Sequence, residues 1–173
     1  AGKADRIDLR VIPPGEEGLR AKEMIVIVDY KTGSMAKAPS WRGFNPGARG
    51  EWIKTLRSVQ LPVYVIMAKE GTIKLQDGAV DLVSPLTKGR PVEGFDARLM
   101  MLGKQEILEE SLYRPHRGIP PDIPSTYAMY RDAVCTLLDE ILDPALPFAP
   151  TKREDACRYC PFKVMCGRQW VKE

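Results

Sequence analysis

The sequence predicts a mixed α/β fold in which helices flank a central mixed sheet. Three patterns carry that reading. Met24-Ile25-Val26-Ile27-Val28 is an unbroken apolar run rich in β-branched residues, which suits a strand buried on both faces. Ile7, Leu9 and Val11 alternate with polar residues, the period of a half-buried strand. Trp52, Leu56, Val59, Val63 and Ile66 recur at spacings of three and four, as do Tyr130, Val134, Leu137 and Ile141, so each set marks one face of a helix. Strands interleaved with helices define the mixed class.

In chain order, the first strand is expected over Gly2–Ile12 and the second over Met24–Lys31. Pro13-Pro14-Gly15-Glu16-Glu17-Gly18 joins them as a turn. The Gly/Pro/Ser-rich stretch Gly33–Gly50 shows no period and reads as a loop. Its Trp41 and Phe44 either stack on bases or tuck the loop onto the core. Glu51–Lys69 reads as helical, with Pro62 ending a first helix or starting a second. Thr72–Leu75, the turn Asp77-Gly78 and Ala79–Val83 read as a hairpin. Phe95–Leu102 is a further strand, and the central sheet is expected to hold Gly2–Ile12, Met24–Lys31, Ala79–Val83 and Phe95–Leu102. Lys104–Leu112 has no decisive pattern. Tyr113–Pro124 is proline-rich and irregular, with His116 at the surface. Ser125 is expected to cap a helix that ends near Leu142, before Asp143-Pro144.

At 173 residues, 44% apolar and 28% charged, the chain has the size and composition of one globular domain. Residues 1–150 form the expected core, and 151–173 a cysteine-rich tail packed on it. No run is long and apolar enough for a membrane span, and no secretion signal is visible, so a cytoplasmic protein is expected. A strand motif begins at residue 2, which suggests a piece of something longer. Net charge is +3, but basic residues cluster. Lys37, Arg42, Arg49, Lys54 and Arg57 face one acid, Glu51, between residues 33 and 59. Residues 151–173 hold six basic residues against three acids. Such segments suit a phosphate backbone, or are simply solvated.

The chemistry centres on Val28-Asp29-Tyr30-Lys31-Thr32-Gly33. Side chains alternate along a strand, so Asp29 and Lys31 share one face and Tyr30 takes the other. An antiparallel neighbour brings Asp5 or Asp8 beside Asp29. Asp8 is the lesser candidate, because three residues from Asp5 it points to the opposite face. Two carboxylates and a lysine suit a hard cation such as Mg²⁺ with a phosphate substrate; a plain ion pair at a strand end is the alternative.

At this point the chain resembles the RecB-like nucleases of the PD-(D/E)XK superfamily, with AddB-type helicase–nuclease subunits the nearest branch. Gly2-x-x-Asp5, Asp29-Tyr30-Lys31 and Gln60-Leu61-Pro62-Val63-Tyr64 match three successive motifs, and Cys157-x2-Cys160-x5-Cys166 is similar to the branch's iron–sulfur tail. The resemblance runs from residue 2 to residue 167. It implies a restriction-endonuclease-like core and a Mg- or Mn-dependent DNA exonuclease of repair or recombination, with a helicase domain or subunit as partner. It implies that Asp5, Asp29 and the Tyr30 carbonyl bind the metal, that Lys31 is catalytic, and that Gln60 and Tyr64 support the lysine and contact DNA. The family's helix before the first motif and its upstream cluster cysteine are not found in this chain. Three cysteines are one short of the four thiolates a [4Fe–4S] cluster usually takes, and Cys135 is the only other cysteine. The expectation is therefore a cluster in the parent protein that this chain holds poorly or not at all. A non-catalytic module that binds DNA or a partner, and a zinc protein built on the cysteines, are the rival readings.

Overall fold

A computed structural model of the chain describes residues 4–12, 22–33, 37–56, 58–75, 78–81, 83–103, 106–147, 149, 154–158 and 160–170. In order these form β1 (Arg6–Ile12), β2 (Lys22–Lys31), a 3-10 turn (Arg49–Glu51), α1 (Trp52–Thr55), α2 (Gln60–Glu70), β3 (Thr72–Leu75), β4 (Gly78–Asp81), α3 (Ser84–Thr87), β5 (Gly94–Met101), β6 (Leu108–Ser111), α4 (Ile123–Leu142) and a second 3-10 turn (Glu154–Cys157). The chain divides into two compact units, Ala1–Thr136 and Leu137–Glu173.

The first unit is built on a four-stranded mixed sheet in the order β1-β2-β5-β6. β1 and β6 run antiparallel to their neighbours, and β2 and β5 run parallel. The apolar run of β2 is central, and Ile25, Val26, Ile27 and Val28 are all fully buried. Burying such a side chain contributes roughly 1.5–3 kcal/mol, so this strand anchors the unit. α2 lies against β5 and β2. Its buried residues Leu61, Tyr64, Val65 and Ala68 recur at spacings of three and four and form the packing stripe.

The restriction-endonuclease-like α/β core expected from the sequence is present, with several corrections to its parts. β3 and β4 pair only with each other, so Ala79–Val83 adds no strand to the central sheet. The fourth strand is β6, from the segment without a decisive pattern. Its Glu109 and Glu110 mask any apolar period because both are used in ion pairs, Glu109 with Arg10 and Arg98 and Glu110 with Arg114. The helix expected over Glu51–Lys69 is broken between Thr55 and Gln60, and Pro62 lies in the first turn of α2, where its missing N–H is not needed. α4 begins at Ile123, not after Ser125. Asp122 is the capping residue, its Oδ2 accepting from the Ser125 N–H at 3.2 Å and also from the Ser125 hydroxyl. The turns expected at Pro13–Gly18 and at Asp77 lie outside the described residues, except Gly78, which opens β4.

Residues 37–50 are irregular, as expected, and are pinned down. Phe44 is buried, its ring 5.4 Å from Trp52 and 6.3 Å from Tyr130. Trp41 is half-buried and donates its indole N–H to the Arg114 carbonyl at 2.9 Å. Phe44 therefore tucks the loop onto the core and is not available to stack on bases. Phe44→Ala is expected to lower stability by about 3 kcal/mol, as a large buried ring leaves a cavity. Denaturant unfolding checks this; a loss below about 1 kcal/mol would show that the loop is not part of the core.

Candidate active site

The register of β1 on β2 builds the site. The ladder ends with Arg6 opposite Val28, and Asp5 follows just beyond it, at the Asp29 end of β2. The exposed Asp5 carboxylate reaches β2, where its Oδ2 accepts the Tyr30 N–H at 2.8 Å. Asp29 and Lys31 share the sheet face that meets α2. The Lys31 ammonium stands 2.6 Å from Asp29 Oδ2. Asp29 is 3% exposed, so the pair sits where the field is only partly screened by water.

Gln60, the first residue of α2, joins these groups. Its amide donates to Asp29 Oδ1 at 2.7 Å and to the Tyr64 hydroxyl at 2.7 Å, while its oxygen accepts from Lys31 Nζ at 2.9 Å. The Tyr64 hydroxyl is itself 3.5 Å from Asp29 Oδ1. Both amide hydrogens and the amide oxygen are used, so the orientation of the Gln60 amide is fixed by its neighbours. Asp29, Lys31, Gln60 and Tyr64 thus form one connected set, with Asp5 bonded to the residue next to Asp29.

The opposite sheet face holds Asp8 and Tyr30. Asp8 Oδ2 accepts from Arg6 at 2.6 Å and from Arg10 at 3.0 Å, and Arg6 also donates to the Tyr30 hydroxyl at 3.0 Å. The hydrogen bond from Arg6 is the main force holding the Asp8 carboxyl below its usual range, against the opposing effect of burial. A depressed carboxyl contributes stability above its unfolded pKa, and that contribution fades as pH falls through the folded one. Asp8→Asn is therefore expected to cost up to about 1 kcal/mol at neutral pH, because water screens the pair. The difference should begin to shrink as pH falls through the ordinary carboxylate pKa of about 3.9 and vanish only below the lower, folded one. Paired urea melts at neutral and acid pH check it; an equal loss at both would assign the effect to packing.

Two parts of this arrangement have no sequence signal. Gly103 follows β5 beside the end of β2, where a Cβ would lie 2.0 Å from the Thr32 carbonyl oxygen. Leu102 N–H donates to the Lys31 carbonyl at 2.8 Å, so this close crossing holds the Lys31 end of β2. Asp96 on β5 is also buried, and burial raises its carboxyl above the usual range despite hydrogen bonds from Arg98 and Ser111.

The donor set suits a hard divalent cation. Mg²⁺ takes one or two carboxylates with water and substrate oxygens. The buried Asp29 Oδ2 accepts no hydrogen bond, and its close partner is the Lys31 ammonium. In the second unit Cys160 N–H donates to the Cys157 carbonyl at 3.2 Å, yet Cys157 is buried, Cys160 half-buried and Cys166 exposed. Cys135, on α4, is exposed, and none of the four cysteines forms a disulfide. Among the described residues no three His, Cys, Asp or Glu side chains gather at one point.

Of the basic residues around the loop, Lys37, Arg42 and Lys54 are exposed, and the Arg49 guanidinium lies 4.8 Å over the Trp52 ring. Arg57 lies outside the described residues. His116 is half-buried, in a short turn bridged to Ile119. Among the described residues no helix is long and apolar enough to cross a membrane.

A mixed four-stranded sheet packed by helices, with an acid and a lysine at the end of its central strand, defines a restriction-endonuclease-like core. Residues 1–167 match the PD-(D/E)XK nuclease superfamily, and the chain belongs to it. Members are in general metal-dependent nucleases and typically use divalent metals such as Mg or Mn. No curated protein and no solved structure gives a match.

Proposed function

We propose that this chain is a Mg- or Mn-dependent deoxyribonuclease that hydrolyses phosphodiester bonds as an exonuclease in DNA repair or recombination. Superfamily membership supports the reaction class. The observation that carries the assignment to particular residues is the Gln60 amide, which grips Asp29 and Lys31 at once. That grip costs side-chain freedom at a strand end, and it holds a carboxylate and an ammonium in a fixed relation.

In this reading Asp5 and Asp29, with the Tyr30 carbonyl, hold the cation. When bound, the metal polarises the scissile phosphate and lowers the pKa of a water. Lys31 offsets charge that develops on the phosphate oxygens and orients the attacking water. Gln60 positions Lys31, and Tyr64 positions Gln60. Asp8 has no part in the reaction. A helicase domain or subunit would supply unwound strands. An iron–sulfur cluster of the usual four thiolates would need a ligand beyond the three tail cysteines.

The test is cleavage of end-labelled linear DNA and of closed circular DNA by the purified chain, in magnesium and in EDTA. Magnesium-dependent release of label from linear DNA, with circles spared, is expected. DNA binding without cleavage in magnesium would assign the chain to the non-catalytic reading.

A further inference from the structure

Beside the Asp29 network, β1, β2 and α2 leave an apolar pocket of about 210 Å³. Ile7, Ile27, Met67 and Val83 line it together with the ring of Tyr64. Ile7 and Met67 are each 38% exposed, so two large apolar side chains face water at its mouth. One residue is shared between the pocket and the acid–lysine site. Tyr64 is among the lining residues, and its hydroxyl bonds Gln60 and stands 3.5 Å from Asp29 Oδ1.

We infer that this pocket receives a nucleobase of the DNA strand being cut. The inference rests on the nuclease reading and names a subsite of that same centre. A nucleotide is an anion and a flat apolar ring separated by a sugar. Here the Lys31 ammonium and an apolar pocket lie at the two ends of the Gln60–Tyr64 pair. A phosphate held at Lys31 places the attached base against Tyr64. An apolar lining accepts any base, because it makes no base-specific hydrogen bond. The pocket lining offers no hydrogen-bonding side chain other than the Tyr64 hydroxyl, so the subsite fixes position along the strand and does not read sequence. An apolar protein segment would fill the pocket without using the charged end.

The test measures Kd of the whole chain for a short single-stranded oligonucleotide, with calcium, another oxygen-seeking cation, in place of magnesium. A series carries one abasic position each, moved along the strand. In the wild type, one position should weaken binding at least about fivefold, the loss of one stacked base. Ile7→Trp and Met67→Trp fill the pocket from separate elements. In each, the intact oligonucleotide should bind about as weakly as that abasic one, and the abasic penalty should disappear. Equal binding of all abasic oligonucleotides by the wild type would overturn the subsite, even if one variant fails to fold. So would a penalty that persists in both folded variants. Magnesium-dependent cleavage that continues in either of those cases leaves the nuclease reading standing. A wild type that neither binds nor cuts DNA removes both.

Discussion

Asp29→Ala is expected to lower DNA cleavage by roughly a thousandfold, the scale of losing a principal electrostatic group of a reaction centre. The side chain is buried and receives the Gln60 amide and the Lys31 ammonium together. Its removal takes a carboxylate from the cation and the anchor from both neighbours. The fold should survive. Lys31 retains about a third of its side-chain surface in water and can turn outward, and Gln60 keeps Tyr64. The stability cost is about 1 kcal/mol, one hydrogen-bonded partner lost. Cleavage at the wild-type rate by protein free of contaminating nuclease would remove Asp29 from the centre.

Lys31→Ala is expected to abolish cleavage to a similar degree but to cost more stability, about 2–3 kcal/mol. The asymmetry follows from burial. Without Lys31, the Asp29 carboxylate stays inside with the Gln60 amide and the more distant Tyr64 hydroxyl as donors. A buried charge without its counter-ion is penalised more than an exposed ammonium without its acid. Magnesium should restore part of the loss by binding the folded state, so the variant gains more thermal stability from the metal than the wild type does. Thermal melts of both proteins in EDTA and in magnesium decide it. A Lys31→Ala protein no less stable than Asp29→Ala, or unmoved by magnesium, would contradict this account of the pair.

How much was legible in the sequence follows from what local pattern can encode. The β2 run and the acid-x-base ending were readable because burial and strand alternation leave a direct mark on residue order. Asp5 and Asp8 could be separated by parity alone, and the structure gives them different partners, the Tyr30 N–H for Asp5 and Arg6 and Arg10 for Asp8. Gln60 and Tyr64 were visible in the residue pattern only as a helical pair; their support of Lys31 came from the family resemblance, and the contact to Asp29 from neither, because these contacts span about thirty residues of sequence. β6 was not readable, since its glutamates serve arginines on β1, β5 and the following segment instead of a core. The hairpin was visible but its separation from the central sheet was not, because pairing partners leave no mark on either strand. Gly103 was one glycine among fourteen until the Thr32 carbonyl appeared against it.

The central claim is that the β1–β2 register makes a cation site from Asp5 and Asp29 and leaves Asp8 out. Binding of Mn²⁺, followed by loss of its free-ion electron paramagnetic resonance signal, tests it most directly across the wild type and Asp5→Asn, Asp29→Asn and Asp8→Asn. The account predicts that Asp5→Asn and Asp29→Asn each weaken the site at least about tenfold, while Asp8→Asn binds as the wild type does. Unchanged binding in Asp29→Asn, or equal losses in Asp5→Asn and Asp8→Asn, would contradict it.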